Sequence, residues 1–236
     1  MAARGQASAA GASPSEVASR YLEALQYMGF EGIPARPARL AQWLGVSRPT
    51  VTVALQRMAR DGLLKLAPNK EVMLTETGRA AADSLVRRHR IIERWLTDQL
   101  GMDWVSADEE AARLEHTVSE DVVSRIYERL GRPATCPHGN PIPGLTEREP
   151  GELSVAQLEL GARARVTRIS EVAEREAPLL LTRLAELGLV PGTRLEVTAI
   201  RPEGAMRLQL KGGTVELAAD VADKVWSVPE SQADSA

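Results

Sequence analysis

Several residue types that mark secreted or membrane-embedded chains are nearly missing from these 236 residues. There is one cysteine, Cys136, which excludes an intrachain disulfide and a multi-cysteine zinc cluster and suits a reducing compartment. Aromatics make up 3% and Phe30 is the single phenylalanine, so Leu, Val and Ala must pack the core. No run approaches the roughly 20 apolar residues needed to cross a bilayer. The opening stretch MAARGQASAAGASPS has no apolar segment of signal-peptide length. These absences predict a cytoplasmic chain with no membrane contact and a loose arm over residues 1–13. Histidine is scarce as well, with His89, His116 and His138 alone, so where each one sits carries information.

Charge is mild in total, −3, but unevenly spread. Between Pro34 and Lys70 stand Arg36, Arg39, Arg48, Arg57, Arg60, Lys65 and Lys70 against one acid, Asp61, whereas Asp108 to Glu120 is acidic. A basic front suits phosphates and an acidic middle suits cations. Periodicity predicts a helix from about Ser15 to Met28, then a short helix ending at Gly45, a turn, and a second helix opened by Ser47 with Pro49 in its first turn. LLKLAPNKEVMLT alternates and turns at Pro68 and Asn69, which predicts a hairpin. Helix, turn, helix and wing make a winged helix-turn-helix over residues 14–76, with Ser47, Arg48, Pro49, Thr50 and Thr52 at the end that enters the major groove and Lys65 and Lys70 on the backbone. A plain helical domain with a basic solvated face is the alternative reading.

A long helix from about Glu76 to Leu100 and two shorter ones form a helical middle over residues 77–134, the first short one capped by Ser106 with Glu109. Five prolines in RPATCPHGNPIPGLTEREPGE mark a linker at 135–154. Short alternating strands around one helix, LLLTRLAELG, predict a small SH3-like barrel at 155–230. The fold class is thus mostly α with a small β domain. His89 and Glu93 lie four apart on one helix face, and Asp108, Ala112 and His116 repeat that step on the next, with Glu115 beside them. Oxygen and imidazole donors without thiolate suit Mn²⁺ or Fe²⁺ better than structural zinc, though such pairs also occur as ordinary solvated surface. Cys136 and His138 read as plain loop, the four tryptophans as packing residues, and Arg163, Arg165 and Arg168 as a solvated strand face.

The order of winged helix, RRHRIIERWL, DEEAARLEHTVSEDV, HGNPIPG and a C-terminal barrel resembles the diphtheria-toxin-repressor family of iron- and manganese-dependent transcription regulators. The stretch LAELGLVPGTRLEV, residues 184–197, resembles the barrel of ferrous-transport accessory (FeoA-like) proteins. The resemblance spans nearly everything after Ser15. It implies a homodimeric, non-enzymatic repressor that binds a palindromic duplex, takes Mn²⁺ or Fe²⁺ as cofactor and uses no small organic substrate. It also implies one complete metal site of His89, Glu93, Asp108, Glu171 and Glu174. A second site is degenerate: Glu115 and His116 remain and Glu23 could join them, but Arg20 and Ala112 replace two ligands, and His89 could serve either site. Lacking a methionine or cysteine ligand, the chain is expected to prefer Mn²⁺. An Arg20–Glu115 ion pair would instead lock the first helix and leave a metal-independent or iron-responsive regulator. A metalloenzyme or storage protein would need an oriented nucleophile, which the sequence does not offer.

Overall fold

The fold is a computed structural model, in which residues 14–171 and 178–230 are described. Helix α1, Glu16–Phe30, starts where the Ser15 hydroxyl accepts the Ala18 N–H. Helix α2, Pro37–Leu44, ends at Gly45, whose φ of 65° supplies the left-handed turn that leads to α3, Arg48–Arg60. The wing is the antiparallel pair β1, Leu64–Leu66, and β2, Val72–Leu74. Leu22, Met28, Leu40, Val51, Leu55 and Leu64 close one apolar core beneath the exposed face of α3. Gly78 opens the next helix so close to the wing that a Cβ there would lie 1.8 Å from the Leu63 carbonyl oxygen.

Helix α4, Glu76–Leu100, turns at Gly101 into α5, Trp104–Leu114, and α6, Glu120–Arg129, follows. The cap of α5 is Asp103, which accepts the Ser106 N–H at 3.0 Å; the expected Ser106–Glu109 box is not the start, because Trp104 and Val105 already belong to the helix. Ile91, Ile92, Leu96, Ala107, Ala111 and Val123 lock the three helices. Between α4, α5 and α6 an apolar groove remains, lined by Trp95, Leu114, Val118, Val122 and Ile126.

The C-terminal domain comprises β3, Leu153–Ser154; β4, Arg163–Ile169; α7, Pro178–Glu186; β5, Arg194–Ile200; β6, Met206–Leu210; β7, Gly213–Leu217; α8, Ala219–Ala222; and β8, Val225–Pro229. Its strands pair antiparallel in the order β3-β8-β4-β5-β6-β7 around Val166, Ile169, Leu184, Val197, Leu208 and Val225. Trp104 and Val105 of α5 pack against this second core and seat it on the helical middle.

Two expectations change here. While 144–151 is largely exposed loop, the first part of the proline-rich segment, up to Ile142, is packed structure. Its Ile142 is fully buried in the helical core, the Ile169 N–H donates to the His138 carbonyl at 2.9 Å, and the Asn140 amide donates to the Ile169 carbonyl at 3.0 Å. Gly139 is required there, since a Cβ would meet the Thr167 oxygen at 2.0 Å. Arg168 is not on a solvated face but 1% exposed. Glu31 of α1, Glu152 and the Trp226 ring cover this residue, while the register shift between Val166 and Arg168 in the β4–β8 pairing lets Ile169 join Ala164 and Val166 in the barrel core.

Candidate functional site

The acidic middle and the long helix meet around His89. Its Nδ1 lies 2.7 Å from Glu115 Oε2 and its Nε2 3.1 Å from Asp108 Oδ1. Glu115 caps the end of α5, and its other oxygen is 3.3 Å from Nε2 of His116. Burial alone would lower the His89 pKa, but hydrogen bonds and negative charge from Asp108 and Glu115 outweigh it and hold the ring well above its ordinary range. An imidazolium thus bridges two carboxylates from its two ring nitrogens, and an ion taking up one nitrogen would need the carboxylate on the other side to move toward it. By type the donors, all nitrogen and oxygen, suit Mn²⁺ or Fe²⁺, although in this structure one atom from each does not converge on a single point. Two members reach solvent: the Asp108 and His116 side chains are each 31% exposed.

One turn along α4, Glu93 faces a different neighbourhood. Its Oε1 lies 2.9 Å from His138 Nδ1, which is 3.9 Å from Cys136 Sγ. One donor atom from each of Glu93, Cys136 and His138 lies within 4.8 Å of the others, and all three residues are buried; they are the one such trio among the described residues. Trp104 stands edge-on to the His138 ring, with centroids 4.7 Å apart. A thiol, an imidazole and a carboxylate form a donor set suited to Zn²⁺ or Fe²⁺. Cys136 and His138 are therefore more than plain loop. Their two-residue spacing was the available signal, but only the docking of HGNPIPG onto β4 brings them to Glu93.

Glu171 goes to a third place. Arg90 of α4 donates both to its carboxylate and to the Pro141 carbonyl, with Phe30 packed 5.1 Å from the guanidinium carbon. Burial raises the Glu171 pKa against the opposing pull of Arg90. Beside it, Glu31 at the end of α1 accepts from Arg168 Nη1 at 2.8 Å and from the Glu171 backbone N–H at 3.1 Å. Arg168 Nε also donates to Glu152 at 2.9 Å, while its guanidinium lies 4.3 Å from the Trp226 ring centroid. These buried ion pairs join α1, α4 and the barrel.

Four of the five residues expected as one site are thus placed in three groups: His89 with Asp108, Glu93 with His138, and Glu171 on Arg90. Glu174 lies outside the described residues. Glu115 and His116, expected in a second site that His89 could also serve, stand with His89. Glu23 is half-buried on α1 and, with Glu171, is among the carboxylates that reinforce burial in raising the Tyr27 pKa. The expected Arg20–Glu115 pair is not formed: Arg20 is exposed, and both Glu115 oxygens face imidazoles. On the DNA-binding side Arg36, Arg39, Ser47, Arg48, Pro49, Thr50, Thr52, Lys65 and Lys70 are all exposed.

Comparison with known proteins places this geometry. Residues 15–72 match the N-terminal DNA-binding domain of iron-dependent repressors, 75–144 their metal-binding and dimerisation domain, and 153–229 the FeoA domain. The chain is 38% identical over 203 residues to the iron-dependent repressor IdeR of Mycobacterium tuberculosis, covering 81% of this chain and 87% of that one. It is 33% identical over 214 residues to the diphtheria toxin repressor of Corynebacterium diphtheriae, covering 87% and 93%. Among solved structures, a manganese-dependent transcriptional repressor in complex with manganese superposes with a TM-score of 0.79 at 33% identity, covering 90% of this chain and all of that one.

Proposed function

Since this chain belongs to the diphtheria-toxin-repressor family of iron-dependent repressors, we propose that it is a manganese-responsive repressor whose effector ion is held by His89, Asp108, Glu115 and His116. It is a metal-dependent regulator that binds DNA as a homodimer. The observation that carries the proposal is the buried imidazole of His89 held between the carboxylates of α5. His89, Asp108, Glu115 and His116 would hold a divalent ion, whose positive charge would offset the charge of the two carboxylates. The residues do the rest. His89 ties α4 to α5, and the apolar groove of Trp95, Leu114, Val118, Val122 and Ile126 offers a surface for the second protomer. Pairing two such faces fixes the distance between two α3 helices on a palindromic duplex.

Cys136 favours a second reading for the neighbouring cluster. Glu93, Cys136 and His138 would hold a softer ion, Zn²⁺ or Fe²⁺, as a fixed structural component. The expectation of manganese rested on the absence of a cysteine ligand, and it now applies to the His89 cluster alone. The test is to titrate the full-length chain with Mn²⁺, Fe²⁺ and Zn²⁺ and measure retention of a randomised duplex pool, for the intact protein and for His89→Ala. Manganese-dependent retention lost in His89→Ala supports the proposal. Retention that survives exhaustive chelation would overturn it.

A further inference from the structure

The exposed face of α3 carries an aliphatic side chain in its centre. Val53 is 67% exposed, on a ridge running Pro49, Val53, Gln56, Arg60 along the outer side of the helix. Packing does not explain a β-branched residue there, and valine is a modest helix former. The neighbouring hydroxyls are engaged within the helix itself. Thr52 Oγ1 donates to the Arg48 carbonyl at 3.0 Å, and the Ser47 and Thr50 hydroxyls lie 2.7 Å apart, with Ser47 also accepting the Thr50 N–H. Arg48 and Arg60 lie at either end of the ridge, placed for phosphates, which position a reader without specifying sequence.

We infer that Val53 selects a thymine at one position of each half-site by packing against the C5-methyl group of the base. The inference rests on the repressor reading and deepens it by naming a base. In the major groove thymine alone presents a methyl, so an apolar contact discriminates it from the other three bases. Valine in a helix holds nearly one χ1 rotamer, so the contact is ordered before the DNA arrives.

The experiment uses the manganese-loaded full-length chain and a duplex pool with a randomised core of about two helical turns, selected in parallel on the intact protein and on Val53→Ala. The intact protein should enrich a symmetry-related pair of thymines whose preference is absent from the Val53→Ala pool, while the other enriched positions persist. In the enriched duplex, deoxyuridine at those two positions should weaken binding by about three- to fivefold per methyl removed for the intact protein. The same duplex should leave Val53→Ala unchanged. A thymine preference that persists in Val53→Ala, or a deoxyuridine penalty equal in both proteins, overturns the assignment and leaves the repressor reading standing. If the metal-loaded intact chain enriches no sequence at all, the repressor reading falls and the assignment falls with it.

Discussion

Two histidine–carboxylate clusters sit one helical turn apart on α4, and they differ in nearly everything except that helix. The His89 cluster has two side chains at 31% exposure and only nitrogen and oxygen donors. The Glu93 cluster has side chains at 0% and 3% exposure for His138 and Glu93, and it includes a thiol. A site open to solvent can load and unload as ion concentration changes, whereas a closed one behaves as part of the fold. What separates them is the barrel. It presses the HGNPIPG loop over Glu93 and leaves the edge of α5, with Asp108 and His116, uncovered. The same helix can thereby serve as sensor on one side and as scaffold on the other.

The strongest way to break this contrast is to lift the barrel. Arg168→Ala leaves Glu31 and Glu152 buried without their cation, which should destabilise the fold by about 3–5 kcal/mol; urea unfolding measures it. Exchange of an ion at the Glu93 cluster should then approach that at the His89 cluster. Arg168→Met should cost less, because the methionine stem refills the space over Trp226. Equal stability of Arg168→Ala and the intact chain would show that the barrel is not held this way. Next in size is the closed cluster itself. Cys136→Ser should weaken Zn²⁺ binding by about a hundredfold or more, since loss of even an outer partner of a metal ligand costs ten- to a hundredfold. Competition against a chromophoric chelator reads this, and Mn²⁺ affinity should stay put. A matching loss of Mn²⁺ affinity would merge the two clusters into one. Smaller is the effect of His89→Gln, which keeps a polar side chain of similar size. It should raise the Mn²⁺ concentration needed for DNA retention by roughly ten- to a hundredfold and leave Zn²⁺ binding alone.

The sequence carried the local structure well, because caps, turns and periodicity act over a few residues. Ser47 caps α3 as expected, and the wing turns where Pro68 and Asn69 predict it. What it did not carry depends on contacts across the chain. Arg168 reads as a solvated strand residue until its partners are known, because Glu31 of α1, Glu152 and the Trp226 ring reach it from distant parts of the chain. Cys136 and His138 read as loop because the segment that holds them has no apolar rhythm. Their burial comes from hydrogen bonds to β4, some thirty residues on in the chain. The candidate ligands were legible as residue types, yet their grouping was not. His89 and Glu93 are one turn apart in sequence, and only the packing of α5 on one and the 136–140 loop on the other sends them to different partners.

The smallest expected effect bears on the same contrast from the side of α1. A guanidinium at position 20 could have replaced an ion by bonding Glu115, which would have made the open cluster as permanent as the closed one. In the structure Glu115 already has two imidazole partners, and Arg20 lies in solvent. Arg20→Ala should therefore change stability by no more than about 0.5 kcal/mol, the usual scale for a surface substitution away from special features. The Mn²⁺ titration should be unmoved. A double-mutant cycle of Arg20→Ala with Glu115→Gln should return no coupling, because the exposed Arg20 does not reach Glu115, whose oxygens face His89 and His116. Coupling above about 1 kcal/mol would mean that α1 is held at both ends, and that an arginine, rather than the exchangeable ion, governs how α5 meets the DNA-binding domain.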